Sequence, residues 1–335
     1  MSRELKRMLV IVMVLGSWLV LFQNIDIAGA GDPDYPTKPI DFYISIGAGG
    51  STDLACRAII DAASKHLGQS FTPINKVGAS GAIAAMTIKT AKPDGYTIGA
   101  CTPSTIFIVP FKEGAKYDYA DFTWIQNFGS YVFPLVVRGD SPWQTWDELI
   151  AWARKNPRGV KIAISGARFL DYKGLVLWQI EQKENVEFTY LTYKGTHDAQ
   201  GALLGGHISI MAMSIIPTTR SYLETGKLRI LAYLGKNKAP GYENLPAANE
   251  VYGFGIPDFL AVYGPKGLPD YAVRKLDRAF SKAVKEPSFI KAMNRMNMPI
   301  VYMDHDTLTK YLAETFSKTA KLIEQVKAEE ARKKK

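Results

Sequence analysis

Glycine-rich, hydroxyl-rich turns are the segments of this sequence best suited to binding chemistry. The first turn, residues 47–53 (GAGGSTD), follows an apolar run and opens a helical pattern. Its glycines let backbone N–H groups approach a ligand, and Ser51 and Thr52 add hydroxyl donors. The start of a helix contributes about half a positive charge, so the turn favours an anion. The alternative is a structural turn in which Thr52 or Asp53 caps the helix.

Two further turns have the same character. Residues 75–81 (NKVGASG) again lead from a strand pattern into a helical pattern, and residues 102–105 (TPST) follow the next strand pattern. Ligands of open parallel sheets bind beyond the carboxyl ends of the strands, so the three turns should converge. The first turn matches neither the dinucleotide fingerprint nor the P-loop, because Thr52 stands where the third glycine belongs and no Gly-Lys-Ser/Thr ends it.

The sequence offers no recognised catalytic or metal-binding arrangement. Its four histidines and two cysteines lack the spacing of a zinc site, and no G-x-S-x-G motif occurs. We therefore predict a binding protein without metal or cofactor, and a hydrolase or isomerase using the same cleft is the rival. Cys56 and Cys101 could pair in an oxidising compartment, or could be two small buried apolar residues.

The N-terminus has the composition of a secretory signal peptide. Arg3, Lys6 and Arg7 precede an uncharged stretch over residues 8–22, and small residues ending at Ala30 match a cleavage site. The apolar run is shorter than the roughly 20 residues that span a bilayer, although an uncleaved anchor is the alternative. We predict a periplasmic protein. ATP and NAD are scarce there, which leaves capture, adhesion, hydrolysis or scaffolding as roles.

Length and charge narrow the class further. The chain has 335 residues, of which 47% are apolar and 22% charged, as in an ordinary globular protein of about two domains. Its net charge of +9 is dispersed along the sequence. Dispersed charge suits an acidic small ligand or a negatively charged surface, whereas nucleic-acid binding usually needs a concentrated basic stripe.

Strand and helix patterns alternate along most of the chain, which predicts parallel sheets covered on both faces. A pattern typical of a capping box, Thr145 with Glu148, starts one helix, and three helical segments begin near Pro269, Pro287 and Thr307. The basic end of the chain is expected to be solvated and frayed. Strands are predicted over residues 40–46, 71–74, 96–101, 160–165, 188–192, 208–214, 228–233 and 259–263.

These motifs occur in the order and spacing of one family. The sequence resembles the substrate-binding proteins of tripartite tricarboxylate transporters, also called Bug proteins, over essentially the whole mature chain. Each motif is weak, but the combination is specific. The matching segments are residues 35–40 (YPTKPI), the 47–53 turn with Arg57, 75–81, 92–97 (KPDGYT), 193–195 (YKG), 203–206 (LLGG), 226–229 (GKLR) and 264–269.

The resemblance implies an α/β protein with the type II periplasmic-binding-protein fold. Two α/β domains joined by two crossing strands would close on a small organic carboxylate, which a permease of one large and one small subunit would receive. The protein would act as a monomer, and a receptor feeding a signalling partner is the alternative. The implied organisation is a signal peptide over residues 1–30, domain 1 over 31–137 plus 262–326, domain 2 over 138–261, and a basic tail over 327–335.

The resemblance also implies the site. Backbone amides and hydroxyls of the N-terminal turns would hold a carboxylate, partly through water, with Asp53 orienting its loop. Residues 165–168 and 193–196 would close over the distal end of the ligand. The predicted ligand-binding residues are Gly49, Ser51, Thr52, Asp53, Ala79, Ser80, Gly81, Thr102, Ser104, Ser165, Arg168, Phe169, Tyr193 and Thr196.

The sequence departs from the family after its fifth strand, where small residues and a histidine are common. Arg168 could hold a second carboxylate through a bidentate pair, and Phe169 or Tyr172 could stack on an aromatic ligand. The alternative is a surface arginine beside ordinary core aromatics.

The Arg168 hypothesis makes a direct prediction. Arg168→Ala should weaken binding of a dicarboxylate, since a charge-assisted hydrogen bond contributes about 1.5–3 kcal/mol. Calorimetric titration of both proteins measures the difference. An unchanged dicarboxylate affinity would show that the assignment is wrong.

Overall fold

The computed structural model describes residues 34–112, 114–165, 171–257 and 259–333, so the predicted signal peptide, Arg168 and Phe169 lie outside it. Its strands form two five-stranded sheets. The helices are α1 (Ser51–Leu67), α2 (Ala82–Lys89), α3 (Pro103–Phe107), α4 (Trp146–Lys155), α5 (Tyr172–Glu184), α6 (Thr196–Leu204), α7 (Pro217–Glu224), α8 (Ala248–Tyr252), α9 (Asp270–Ala283), α10 (Pro287–Arg295) and α11 (His305–Lys333).

The first sheet, with the helices packed on it, forms what we call the first lobe. Phe42 and Phe280 lie on either side of Phe71, with ring centroids 6.1 Å and 5.6 Å away, so a strand and helix α9 share one apolar core. In spatial order its strands are β2 (Phe71–Asn75), β1 (Ile40–Ile44), β3 (Thr97–Cys101), β10 (Leu260–Pro265) and β4 (Phe122–Gly129).

The second sheet and its helices form the second lobe. Its central strands are buried along most of their length, and helix α4 buries Leu149, Ile150 and Ala153 on one face, as its periodicity predicts. In spatial order its strands are β7 (Phe188–Thr192), β6 (Val160–Ile164), β8 (Ile210–Ala212), β5 (Pro134–Arg138) and β9 (Leu228–Tyr233).

The sheets are mostly parallel, as predicted, but each contains one antiparallel strand. Strand β10 is antiparallel to β3 and β4, and β5 is antiparallel to β8 and β9. Each is the first strand that the chain forms after it crosses from one lobe to the other. Because the chain enters the sheet from the side that faces the other lobe, this strand runs opposite to its neighbours. The two crossings lie at residues 130–133 and 234–259, while the predicted domain limits stay predictions.

The crossings are bonded to each other. The N–H group of Leu234 donates to the carbonyl of Phe133 at 3.0 Å, and the amide of Asn237 donates to the hydroxyl of Ser130 at 2.9 Å. Ile256 then pairs with Leu234 through a backbone bond of 2.8 Å. The connection between the lobes is therefore a small hydrogen-bonded ribbon.

All eight strands predicted from apolar runs are present within a few residues of their predicted ends. Strands β4 and β5 were not predicted. Strand β4 is almost entirely buried and carries Gln126 and Asn127 inside, so it shows neither the alternation nor the apolar run that marks a strand. Residues 327–333, predicted to be frayed, continue helix α11 instead. Thr145 caps α4 as predicted. The carboxylate of Glu148 accepts the N–H group of Gln144 in place of that of Thr145, so the prediction of a reciprocal capping box is wrong.

Cys56 and Cys101 are both buried and both free. Burial raises the pKa of the Cys101 thiol well above its ordinary value, because a thiolate would lose its hydration. They therefore match the apolar alternative of the two that the sequence left open.

Helix α11 also reaches across to the second lobe. The hydroxyl of Thr319 donates to the carbonyl of Thr315 at 2.8 Å, so its oxygen accepts the phenol proton of Tyr172 at 2.9 Å. Phe107 packs edge-on against Tyr172, with ring centroids 6.1 Å apart. Burial raises the pKa of Tyr172 to about 12, which keeps the donor protonated.

This bond predicts a measurable coupling between the lobes. Tyr172→Phe and Thr319→Val should each destabilise the protein by about 1 kcal/mol, because each removes the hydrogen bond between the two buried hydroxyls. The double variant should lose less than the sum of the two, by about 0.5 kcal/mol or more. Urea unfolding measures these free energies, and Tyr302→Phe at an exposed tyrosine is the control. Additive losses would contradict a direct bond.

Candidate functional site

A buried carboxylate organises the first turn. Oδ2 of Asp53 accepts the N–H group of Gly49 at 2.9 Å, which closes the turn on itself. Both carboxylate oxygens accept the Nε proton of Arg57 at 3.0 Å, and Oδ1 also accepts from the amide of Asn75 at 2.7 Å. Asn75 ends strand β2, so the carboxylate joins the first turn to the start of the second.

These donors set the charge of Asp53. Burial alone would raise its pKa, but the hydrogen bonds from Arg57, Gly49 and Asn75 outweigh burial and lower the pKa below its ordinary value of 3.8. The carboxylate is therefore ionised at neutral pH. It faces the loop interior and is 1% exposed, so it positions the turn.

The second turn has an unusual backbone. Ala79, Ser80 and Gly81 have φ angles of 46°, 56° and 92°, a run in the left-handed region that costs free energy outside glycine. A Cβ atom at Gly81 would lie 2.4 Å from the hydroxyl oxygen of Thr105, so only glycine fits there. That hydroxyl donates to the carbonyl of Ser80 at 3.1 Å and fixes the turn against helix α3.

The three turns converge on one cavity of about 420 Å³ between the lobes, which we call the interlobe cavity. This is within the size range of small-molecule sites. Its first-lobe side combines hydroxyls with apolar surface, and its second-lobe side brings polar groups from four segments. The lining residues are Ile46, Thr52, Ser80, Thr102, Pro103, Ser104, Tyr131, Phe133, Ser165, Asp171, Tyr172, Lys173, Gly195, Thr196, Met213, Ser214 and Ile256.

One crossing segment supplies a wall of the cavity. Tyr131 stacks on Phe133, with ring centroids 5.4 Å apart and planes 24° apart. The hydroxyls of Tyr131 and Thr52 are hydrogen-bonded at 2.9 Å, which ties the wall to the first turn. Burial raises the pKa of Tyr131, so the phenol stays neutral and serves as a hydrogen-bonding group.

An ion pair lies on the second-lobe side. Nζ of Lys173 is 2.6 Å from Oδ2 of Asp171, and each side chain is 9% exposed. Asp171 caps helix α5 by accepting the N–H group of Lys173 at 3.1 Å, and it accepts the hydroxyl of Ser165 at 2.9 Å. Sequence reasoning missed both charges as site residues. The signal that could have found them is an Asp one residue before a helix together with a Lys inside an otherwise apolar helical segment.

The predicted site residues divide into three groups. Thr52, Ser80, Thr102, Ser104, Ser165 and Thr196 line the interlobe cavity, whereas Gly49, Ser51, Asp53, Ala79, Gly81 and Tyr193 do not line it. Arg168 and Phe169 lie outside the described residues. Tyr172, proposed as a stacking residue, lines the cavity and also packs in the core. A role in ligand binding stays a prediction for all of them.

The described part of the chain contains neither a metal-binding cluster nor a membrane-spanning helix. No group of three or more His, Cys, Asp or Glu side chains there could hold a metal ion. No helix in the same residues combines the length and the apolar composition needed to cross a membrane.

Two α/β lobes, two crossings and a cavity between the lobes define the fold of a two-domain periplasmic binding protein, as the sequence predicted. The structure is similar to that of a ligand-free TctC solute-binding protein from Polaromonas, with a TM-score of 0.75 and 30% sequence identity. The match covers 87% of this chain and 99% of that chain. An R. palustris protein solved with adipate has a TM-score of 0.71 at 25% identity, with 87% and 98% covered.

The chain belongs to the tripartite tricarboxylate transporter family receptors, whose family model matches residues 55–328. It is 34% identical to the "UPF0065 protein in gbd 5'region" of Cupriavidus necator over 295 residues, which cover 87% of this chain and 88% of the relative. The family expected from the sequence motifs is thereby confirmed.

The Asp53 cluster predicts a specific pH dependence. A lowered pKa contributes stability above pH 3.8, and that contribution is lost as the pH falls through the pKa of the folded state. Asp53→Asn should therefore lower the free energy of unfolding at pH 7 by about 1–3 kcal/mol. The difference from the unmodified protein should shrink as the pH falls below 3.8. Urea unfolding across pH 3–7 measures this.

Asp61→Asn is the matched control, because Asp61 is an exposed aspartate on the same helix. It should change stability by less than about 0.5 kcal/mol at every pH. A difference between Asp53→Asn and the unmodified protein that persists unchanged at acid pH would contradict the role given to the Asp53 charge.

Proposed function

We propose that this protein is an exported receptor that captures a small organic carboxylate in the interlobe cavity and delivers it to the permease of a tripartite transporter. The observation that carries the proposal is the convergence of three polar turns on one end of a cavity whose walls are largely apolar. The signal peptide would be removed near Ala30, and the mature protein would act in the periplasm as a monomeric receptor without catalytic activity.

The polar end of the cavity suits a carboxylate. Thr52, Ser80 and Ser104 contribute hydroxyls there, and helix α1 starts at the same place with its N–H groups and positive dipole end. Hydrogen bonds to a charged acceptor contribute about 1.5–3 kcal/mol each, so two or three offset much of the cost of removing a carboxylate from water. An uncharged sugar would lack that gain.

The apolar walls suit the carbon skeleton of an acid. Ile46, Pro103, Phe133, Met213 and Ile256 supply apolar surface to the cavity. The cavity of about 420 Å³ has room for a small organic acid together with bridging waters. Such waters replace direct contacts at little cost in affinity.

Relatives support the ligand class and the partner. The R. palustris neighbour at 25% identity was solved with adipate, a dicarboxylate. The family is that of transporter receptors, which supports delivery to a membrane permease. The three turns that support anion binding lie in the first lobe, and the first two of them are among the segments that match the family motifs.

The proposal predicts stabilisation by acids. A ligand at a hundredfold excess over its dissociation constant adds about 2.7 kcal/mol, which should raise the melting temperature of the mature protein by about 5 °C. Thermal-shift measurements with mono-, di- and tricarboxylates, sugars and amines test this. Stabilisation by sugars or amines and by none of the acids would overturn the proposal.

A variant pair locates the effect. Thr52→Val removes a cavity hydroxyl and should reduce the shift, whereas Thr309→Val removes an exposed hydroxyl on helix α11 and should leave it unchanged. Analysis of the bound acid after several hours should recover it intact. Recovery of a converted product would favour the hydrolase or isomerase alternative.

A further inference from the structure

The ion pair on the second-lobe side of the interlobe cavity is unusual for a small site. Lys173 is 7% exposed, and Asp171 and Lys173 are the charged members among the described lining residues. Removing an ammonium from water costs several kcal/mol unless acceptors surround it. A lysine held at a cavity wall therefore indicates a need for its charge.

Asp171 has its donors already. Oδ1 accepts the backbone N–H of Lys173, while Oδ2 accepts the hydroxyl of Ser165 and the ammonium of Lys173. These contacts fix the carboxylate at the start of helix α5. An ammonium or hydroxyl donor on a ligand would have to compete with them and would meet the positive charge of Lys173.

Lys173 has donors to spare. An ammonium carries three N–H groups, and among the described residues Asp171 is its hydrogen-bonding acceptor. The ring of Phe133 lies 4.9 Å from Nζ and stabilises the charge from one side without using a hydrogen bond. The remaining donor capacity suits an acceptor oxygen inside the cavity.

We propose that Lys173 is a specificity-determining residue that binds a second carboxylate at the distal end of the ligand. This assignment rests on the proposed function, in which the polar turns hold the first carboxylate. The apolar walls between the two ends suit a methylene chain, and the start of helix α5 adds its positive dipole end beside Lys173. The site thereby prefers a dicarboxylate to a monocarboxylate of equal length.

Calorimetric titration of the mature protein with adipate, 6-hydroxyhexanoate and hexanoate tests the assignment, because these acids share one chain length. The unmodified protein should bind adipate most tightly and hexanoate least tightly. Lys173→Gln should reduce the ratio of adipate to hexanoate affinity about tenfold or more and leave hexanoate affinity nearly unchanged. Lys183→Gln removes an exposed charge from the same helix and should leave the ratio unchanged.

A double variant distinguishes loss of the Lys173 charge from misfolding. Lys173→Gln leaves Asp171 buried without its cation, whereas Asp171→Asn combined with Lys173→Gln removes both charges at once. The double variant should also lose the preference for adipate while it still binds hexanoate. Far-ultraviolet circular dichroism and the melting temperature report whether each variant is folded.

Three results would overturn the assignment. They are equal affinity of the unmodified protein for adipate and hexanoate, retention of the adipate preference when Lys173 is replaced, or an equal loss in Lys183→Gln. Each leaves the proposed function intact, since hexanoate still binds. Failure of every carboxylate to bind the unmodified protein would instead overturn the proposed function itself.

Discussion

The buried Asp53 carboxylate is the constraint on which the site depends. Its ion pair with Arg57 and its bond to Asn75 hold two turns from different strands in one arrangement, and neither turn has a core of its own. Glycine-rich backbone loses much entropy when it is ordered, so it needs such fixed partners. The turn amides can then be directed at a ligand without first being organised by it.

In the proposed function, the two ends of the cavity stabilise negative charge in different ways. The first-lobe end uses hydroxyls and the start of a long helix, whereas the second-lobe end uses a full charge that Asp171 holds in place. Dipoles and hydroxyls stabilise any carboxylate of suitable size. A fixed ammonium adds a requirement at one distance. Under the proposed assignment of Lys173, the second lobe therefore supplies the selectivity of the site.

Sequence reasoning predicted most of the fold and part of the cavity lining on both lobes. The turns were visible because glycine and hydroxyl residues interrupt apolar runs in a fixed order, and eight strands followed from those runs. Strand β4 escaped prediction because its burial on both faces removes the alternation, and Lys173 because a lysine in an apolar helix is usually exposed. Only the fold brings Lys173 to the cavity, as the pairing of helix α5 with the crossing at Phe133 is non-local.

Tyr131 and Phe133 belong both to a crossing between the lobes and to the wall of the cavity. The pivot of any opening motion is thus itself part of the cavity wall. A rotation of one lobe away from the other would displace the aromatic wall, stretch the Thr52–Tyr131 bond and separate the two ends of the cavity in a single movement. Under the proposed function, ligand binding and closure of the lobes are then coupled. A membrane partner that separates the lobes would release the ligand directly, without a separate allosteric site.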